Sequence, residues 1–288
     1  MASRYYCLVA GLPDIGFDDG KPLPSFTAFV EELGPQLSHD DFTLLKFLRL
    51  QRDNRNLINL MEQKGRPFEE GGNYKEEALL NNLKSEDAIP SYLEIFFDAR
   101  NRNHPVYRNM SWEEQLNRLF YKEALRLPNR FLRDWFAFDL NFKNLLTALR
   151  CREYNLPLER RQRERLEAAC TQVIIGENDV TEAILASNAP DFDLHSLFPE
   201  VDALLAMKDA DIVSKEKEVD RLRWGWLTER GRFHEFDIET ILTYCIKLEI
   251  AGRWEELREA RGRERFEDIL VSMEEACTFN EATAGVAP

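Results

Sequence analysis

Phe131, Trp135, Phe138, Phe142, Leu145 and Leu149 recur at steps of four and three, the spacing of one apolar stripe on an amphipathic helix. Pro128 precedes the stripe and Asn129 is placed to cap it, so the pattern predicts a helix over 129–152. Burying such side chains contributes about 1.5 to 3 kcal/mol each. No other stretch is so strongly patterned.

Similar but weaker patterns fill the rest of the chain. Ser25 caps a short helix ending at Leu33, and Ser38-His39-Asp40-Asp41 has the form of a capping box before a long helix reaching Met61. Helices are predicted over 74–83 and 85–100, the second with Pro90 in its first turn. Ser111-Trp112-Glu113-Glu114 is a second capping box, ahead of Leu116, Leu119 and Phe120. Beyond Pro157 the spacing predicts helices over 158–175, from Asp179 to Ala186, and over 200–207, 209–227 and 231–248, with Gly252 a kink or stop. Phe266, Ile269, Leu270, Met273 and Cys277 form a last apolar face. Sustained alternation of period two is absent, so the expected fold class is all-α.

Three of these helices share a pattern. Asp53 to Met61, Asn141 to Leu149 and Asp237 to Cys245 each read Asp or Asn, two spacers, Asn or Thr, two aliphatics, Asn or Thr, a spacer and an apolar residue. The copies lie too far apart for solenoid repeats of about 20 to 50 residues and suit one small helical domain each. The expected division is 1–100, 101–190 and 191–279, with 280–288 a loose tail. The apolar opening, Tyr5 to Leu12, is interrupted by Pro13-Asp14 without a small-residue cleavage site, so it is expected to be mature, buried structure.

Composition narrows the function. The net charge of −14 argues against general nucleic-acid binding, which rests on neutralising phosphates with Lys and Arg. No stretch approaches the roughly 20 apolar residues of a membrane span. Five cysteines without a CxxC pair indicate neither a disulfide framework nor a zinc site, and buried free thiols are expected. There is no GxxxxGK, GxGxxG, HExxH or GxSxG motif, so no cofactor and no catalytic residue is expected. Asp191-Phe192-Asp193-Leu194-His195 mixes carboxylates with an imidazole, but a single local trio reads as a solvated loop. His234 reads as a core or surface residue.

Arginine runs against the overall charge. Six arginines, Arg150, Arg152, Arg160, Arg161, Arg163 and Arg165, meet only three glutamates over 150–165. A second run holds Arg253, Arg258, Arg261, Arg263 and Arg265. Either run can be a solvated helix face. As partner-docking residues, Arg150, Arg152, Arg160, Arg161, Arg163, Arg258 and Arg261 are the candidates, because arginine is enriched at interfaces.

The stretch from Asp237 to Leu270, with Tyr244, Lys247, Glu249, Trp254-Glu255-Glu256-Leu257-Arg258 and Gly262, resembles the closing helices of the C/d family of V-type ATPase central-stalk proteins. Asn141 to Arg152, with Asn144-Leu145-Leu146 and Leu149-Arg150, is similar to that family's internal helices. Tyr5-Tyr6-Cys7-Leu8-Val9-Ala10-Gly11-Leu12-Pro13 and the run from Glu216 to Leu227 resemble a bacterial family encoded beside V-type ATPase subunits. The resemblance implies a funnel of three helical domains between the rotor shaft and the membrane rotor ring. It further implies torque transmission without catalysis, and a cytoplasmic location peripheral to the inner membrane. An assembly or regulatory adaptor of the same ATPase is the alternative.

Overall fold

A computed structural model describes residues 4–17, 23–62, 65–84, 89–155, 173–232 and 234–259, the side chains of 153–155 and 258–259 excepted. Among the described residues the fold is all-α. Eleven helices follow in chain order: α1 (Tyr6–Ala10), α2 (Phe26–Leu33), α3 (His39–Glu62), α4 (Glu76–Leu80), α5 (Ser91–Asn101), α6 (Trp112–Ala124), α7 (Arg130–Asn155), α8 (Asp179–Ala186), α9 (Glu200–Ala206), α10 (Ile212–Gly231) and α11 (Ile238–Glu259). The predicted last helix, the tail and nearly all of 158–175 lie outside the described residues.

Helix starts follow local chemistry. The Asn129 side chain accepts from the Leu132 amide at 2.9 Å, opening α7 where the sequence places it. Ser111 and Glu114 form a reciprocal capping box on α6. Several starts shift from expectation, most of all α11, which begins at Ile238 rather than 231. Asn178, not Asp179, caps α8 through a box with Thr181, and α5 begins only at Ser91, with Pro90 as its cap, because proline has no amide to donate. Gly252 does not stop α11, which continues to Glu259. Helix packing there outweighs the propensity cost of one glycine, roughly 1 kcal/mol.

The chain forms two compact units. One comprises the described residues of Asn54–Phe68 and Tyr74–Leu205. Its centre is aromatic: five of the six stripe residues on α7 are buried, Phe142 and Leu145 completely. Phe120 meets Phe136 edge-on at 5.3 Å, and Phe198 packs against Phe138 and Phe142 at 5.5 and 5.2 Å. Buried polar groups serve this core. Tyr121 donates to Asp139 at 2.7 Å, and the Asn144 side chain both accepts from the Ile175 amide (3.1 Å) and donates to its carbonyl (2.7 Å).

The other unit gathers the described residues of Met1–Asp53, Glu69–Asn73 and Ala206–Val271. Charged cross-ties hold it. Asp53, 1% exposed, accepts from the Asn73 amide at 2.8 Å and from its side chain at 2.7 Å. Arg49 donates to the carbonyls of Gly71 and Gly72, and its burial lowers the guanidinium pKa. Arg52 pairs with Glu249 at 2.7 Å and lies over the Phe26 ring. Between α10 and α11, Asp220 accepts from Arg223 at 3.2 Å, from the Trp254 indole at 2.9 Å and from Arg253. The glycine pair in this unit is obligatory: Gly71 has φ +87°, and a Cβ on Gly72 would meet Asp53 Oδ1 at 2.3 Å.

The first two copies of the sequence pattern lie inside long helices and fasten them to later loops, Asp53 to Asn73 and Asn144 to Ile175. In the third, Asp237 stands just before α11 and accepts from the Thr240 amide at 3.1 Å. The same residue type therefore ties a helix to a loop in one place and caps a helix in another.

Candidate interaction surface

The opening segment is the clearest departure from expectation. None of residues 4–17 is buried, although Tyr5, Tyr6, Leu8, Val9, Leu12, Ile15 and Phe17 are all apolar or aromatic. Five residues are too few for α1 to be stable by itself, so tertiary contacts hold it. The Tyr5 amide donates to the Phe236 carbonyl, and the Tyr5 hydroxyl donates to Asp41 while accepting from the Ser38 amide at 3.1 Å. Tyr6 stacks on Phe236 at 4.9 Å, and Phe17 lies 5.7 Å from Trp224. These contacts use backbone and ring edges and leave one side of the segment in water.

Beside it, Arg4, Tyr6, Arg232, Glu235, Phe236 and Asp237 line an open concavity of about 390 Å³. Tyr6 is 51% exposed there. Arg4 donates to the Tyr6 hydroxyl at 2.8 Å, and this bond is the main reason its pKa lies above the ordinary value. Nearby on α10, Trp224 and Trp226 are half-exposed, and Arg230 lies over the Trp226 ring at 5.4 Å. Arginine beside partly exposed aromatic rings is the composition of protein-binding surfaces. The hollow is too open to exclude water from a reacting group.

The arginines singled out from sequence have different positions. Arg160, Arg161, Arg163 and Arg261 lie outside the described residues, as does the side chain of Arg258. Arg150 is half-exposed and already has an interaction partner within the chain. Arg152 points inward: it donates to the carbonyls of Ser187, at 2.6 Å, and Ala189, and stacks on Phe192 with 3.5 Å between guanidinium carbon and ring centroid. Desolvation lowers its pKa. Arg152 is thus a clamp on the loop after α8, and both arginines are only part-exposed.

The residues that carried the resemblance on α11 are mostly internal. Glu249 pairs with Arg52, and Trp254 donates to Asp220. Tyr244 is 8% exposed, and its hydroxyl is buried without a hydrogen-bond partner. Burial pushes its pKa up to about 12. Lys247 donates to Thr228 at 2.9 Å over the Trp224 ring, and burial lowers its pKa. Burial also pushes the Cys245 thiol well above its ordinary range, which keeps it unreactive.

Among the described residues no group of three or more His, Cys, Asp or Glu is arranged to hold a metal. The 191–195 run divides: Phe192 and Leu194 are core, while His195 meets Asp202 at 2.5 Å on the surface. Of the cysteines expected as free buried thiols, Cys245 is one. Cys151, however, is disulfide-bonded, and Cys7 is free but exposed. No helix among the described residues is long and apolar enough to cross a membrane.

The sequence missed His234. Its Nδ1 lies 3.0 Å from Asp237 Oδ2 and its Nε2 lies 2.7 Å from Glu239 Oε2. Only the spacing of three and five residues hinted at this, and on a continuous helix a five-residue step would not bring the partners together.

No curated protein and no solved structure matches the chain. A family model does match, over residues 1–277, and on that extent the chain belongs to the family described as protein of unknown function (DUF2764).

Proposed function

We propose that the chain is a non-catalytic subunit of a bacterial V-type ATPase, linking the rotor shaft to the membrane rotor ring and transmitting torque. It would work in the cytoplasm, peripheral to the inner membrane, with the three sequence repeats as three similar helical domains. The observation that carries this reading is mechanical. α7 runs for 26 residues, roughly 39 Å; on it Phe138 and Phe142 pack against each other and against Phe198, and Trp135 packs against Phe138. A part that carries torque needs such stiffness, and it needs partner surfaces rather than an enclosed pocket. The concavity beside α1, with Arg4, Tyr6, Arg232 and Phe236 in its lining, fits that need. The resemblance on α7 and α11 supplies the identity of the machine.

An assembly or regulatory adaptor is the second reading, favoured by the wholly unburied segment 4–17, which can leave its seat at small cost. Purification of the ATPase through another of its components separates the two. A torque-bearing subunit remains at fixed stoichiometry through size exclusion; an adaptor is substoichiometric or lost. Complete absence of the chain from the complex at every stage of assembly would overturn both. Within the complex, Trp135→Ala should leave ATP hydrolysis intact while lowering ions moved per ATP. Unchanged coupling in a destabilised but assembled variant would remove the torque role.

A further inference from the structure

Lys247 differs from the other cations drawn into its unit. Arg49 has the Gly71 and Gly72 carbonyls, Arg52 has Glu249, and Arg223 and Arg253 share Asp220. The Lys247 ammonium, part-buried on α11, has three N–H groups and gives one to the Thr228 hydroxyl at 2.9 Å. That hydroxyl's own proton goes to the Trp224 carbonyl at 2.8 Å. The second neighbour of Lys247 is the Trp224 ring, with 5.0 Å between Nζ and the centroid. Among the described residues no acidic side chain and no carbonyl pairs with it. Burial is the sole cause of its lowered pKa: no nearby carboxylate offsets it and no second cation adds to it.

A charge withdrawn from water without a counter-charge costs stability. Around Lys247 that cost goes with the makings of a contact point. Trp224 is half-exposed, and Phe17 of the opening segment, also half-exposed, lies 5.7 Å from it. Gly225, next along α10, is exposed, and a Cβ there would meet nothing within 4 Å, so that stretch of the helix is bare. Aromatic rings placed this way anchor protein interfaces. The chemistry of the missing group follows from the donor. Phosphate is gathered by several cations or by a helix N-terminus, whereas one ammonium in the middle of α11 matches one carboxylate. The two rings call for an apolar group close to that carboxylate, which a peptide chain supplies and a small free acid does not.

We propose that Lys247 is the docking point for an aspartate or glutamate side chain of a partner protein, with Trp224 and Phe17 receiving an apolar residue beside it in the partner's chain. The incoming carboxylate takes the N–H groups that Thr228 leaves over and neutralises the part-buried ammonium. The docking point does not depend on the partner's belonging to an ATPase.

Selection of phage-displayed random short peptides on the isolated full chain, with no ATPase present, tests it. Selected peptides should carry Asp or Glu beside an aromatic or aliphatic residue. They should bind Lys247→Met about tenfold more weakly than the natural chain, the loss of one charge-assisted hydrogen bond. Replacing the peptide's carboxylate by its amide should cost a similar factor, and the two losses should not add, because they remove the same bond. Trp224→Ala should weaken binding as well. Without peptide, Lys247→Met should melt no lower than the natural chain, since it removes an unpaired ammonium and keeps the packing of the stem. A markedly lower melting temperature would make Lys247 a structural part of the α10–α11 seam and overturn the proposal. Selected peptides without a carboxylate, additive losses, or the absence of any peptide that distinguishes Lys247→Met from the natural chain would overturn it too.

Discussion

The two units differ in what accompanies their apolar cores. In the unit built around α7, Phe96, Phe120, Phe136 and Phe142 are all but inaccessible, and dense ring packing supplies the stability. In the unit built around α10 and α11, an aliphatic core with Leu45, Leu227, Ile241 and Leu242 is joined by buried Asp53 and Asp220 and part-buried Arg49 and Arg52, each bonded to a specific partner. Apolar packing is tolerant of partner and direction, whereas a buried carboxylate is stable only while all its donors are in place. The aromatic unit should therefore respond to lost volume, and the charged unit to lost partners.

Phe142→Ala tests the first half of this contrast most severely. It removes a fully buried ring that touches Phe138 and Phe198, and should cost about 3 to 5 kcal/mol in urea unfolding, whereas Phe142→Leu should recover much of the loss. Recovery by a polar residue of similar size would break the contrast. Asp220→Ala probes the other unit: it removes little volume but strips the acceptor from Arg223, Arg253 and the Trp254 indole, an expected loss of about 2 to 3 kcal/mol. Asp220→Asn keeps an acceptor for the indole and should lose less.

Gly72→Ala should cost about 1 to 3 kcal/mol, because the new methyl would have to displace the Asp53 carboxylate from the Asn73 amide. A neutral result there would show that the loop can move while the ties persist. The smallest effect belongs to Tyr244→Phe. Its hydroxyl has no hydrogen-bond partner, so at neutral pH the change should stay within about 1 kcal/mol. The difference should emerge in alkali. Below pH 10 the phenol is protonated folded and unfolded alike; between 10 and about 12 the unfolded chain gives up the proton and the folded chain keeps it, so stability falls as pH rises. Denaturation curves at pH 9 and 11 should show a smaller alkaline loss in the phenylalanine variant.

Much of this helical frame can be read from the chain because its causes are local. The α7 stripe and the box at Ser111 depend on residues within a turn or two of one another. The interaction surface is legible only in part. An apolar run such as Tyr5 to Leu12 reads as core, yet residues 4–17 lie at the surface because the chain spends its ordering contacts there on two tyrosines and a backbone amide. Arg150 and Arg152 sit two residues apart on one helix, and nothing in that spacing tells that the second clamps the loop at 187–192.

The sequence alone determined that the described residues are helical, where α3, α6 and α7 start, and that α7 buries its aromatic face, since periodicity and capping act over a few residues. Only the tertiary structure decided which charges became internal ties and which remained on the surface. Asp53 finds Asn73, Asp220 finds Trp254 and Arg52 finds Glu249. Those pairings join residues from 20 to 197 positions apart, and a charged residue in a helical pattern looks the same whether its partner is water or a distant side chain. Burial and Coulomb attraction distinguish the two only after the helices have packed.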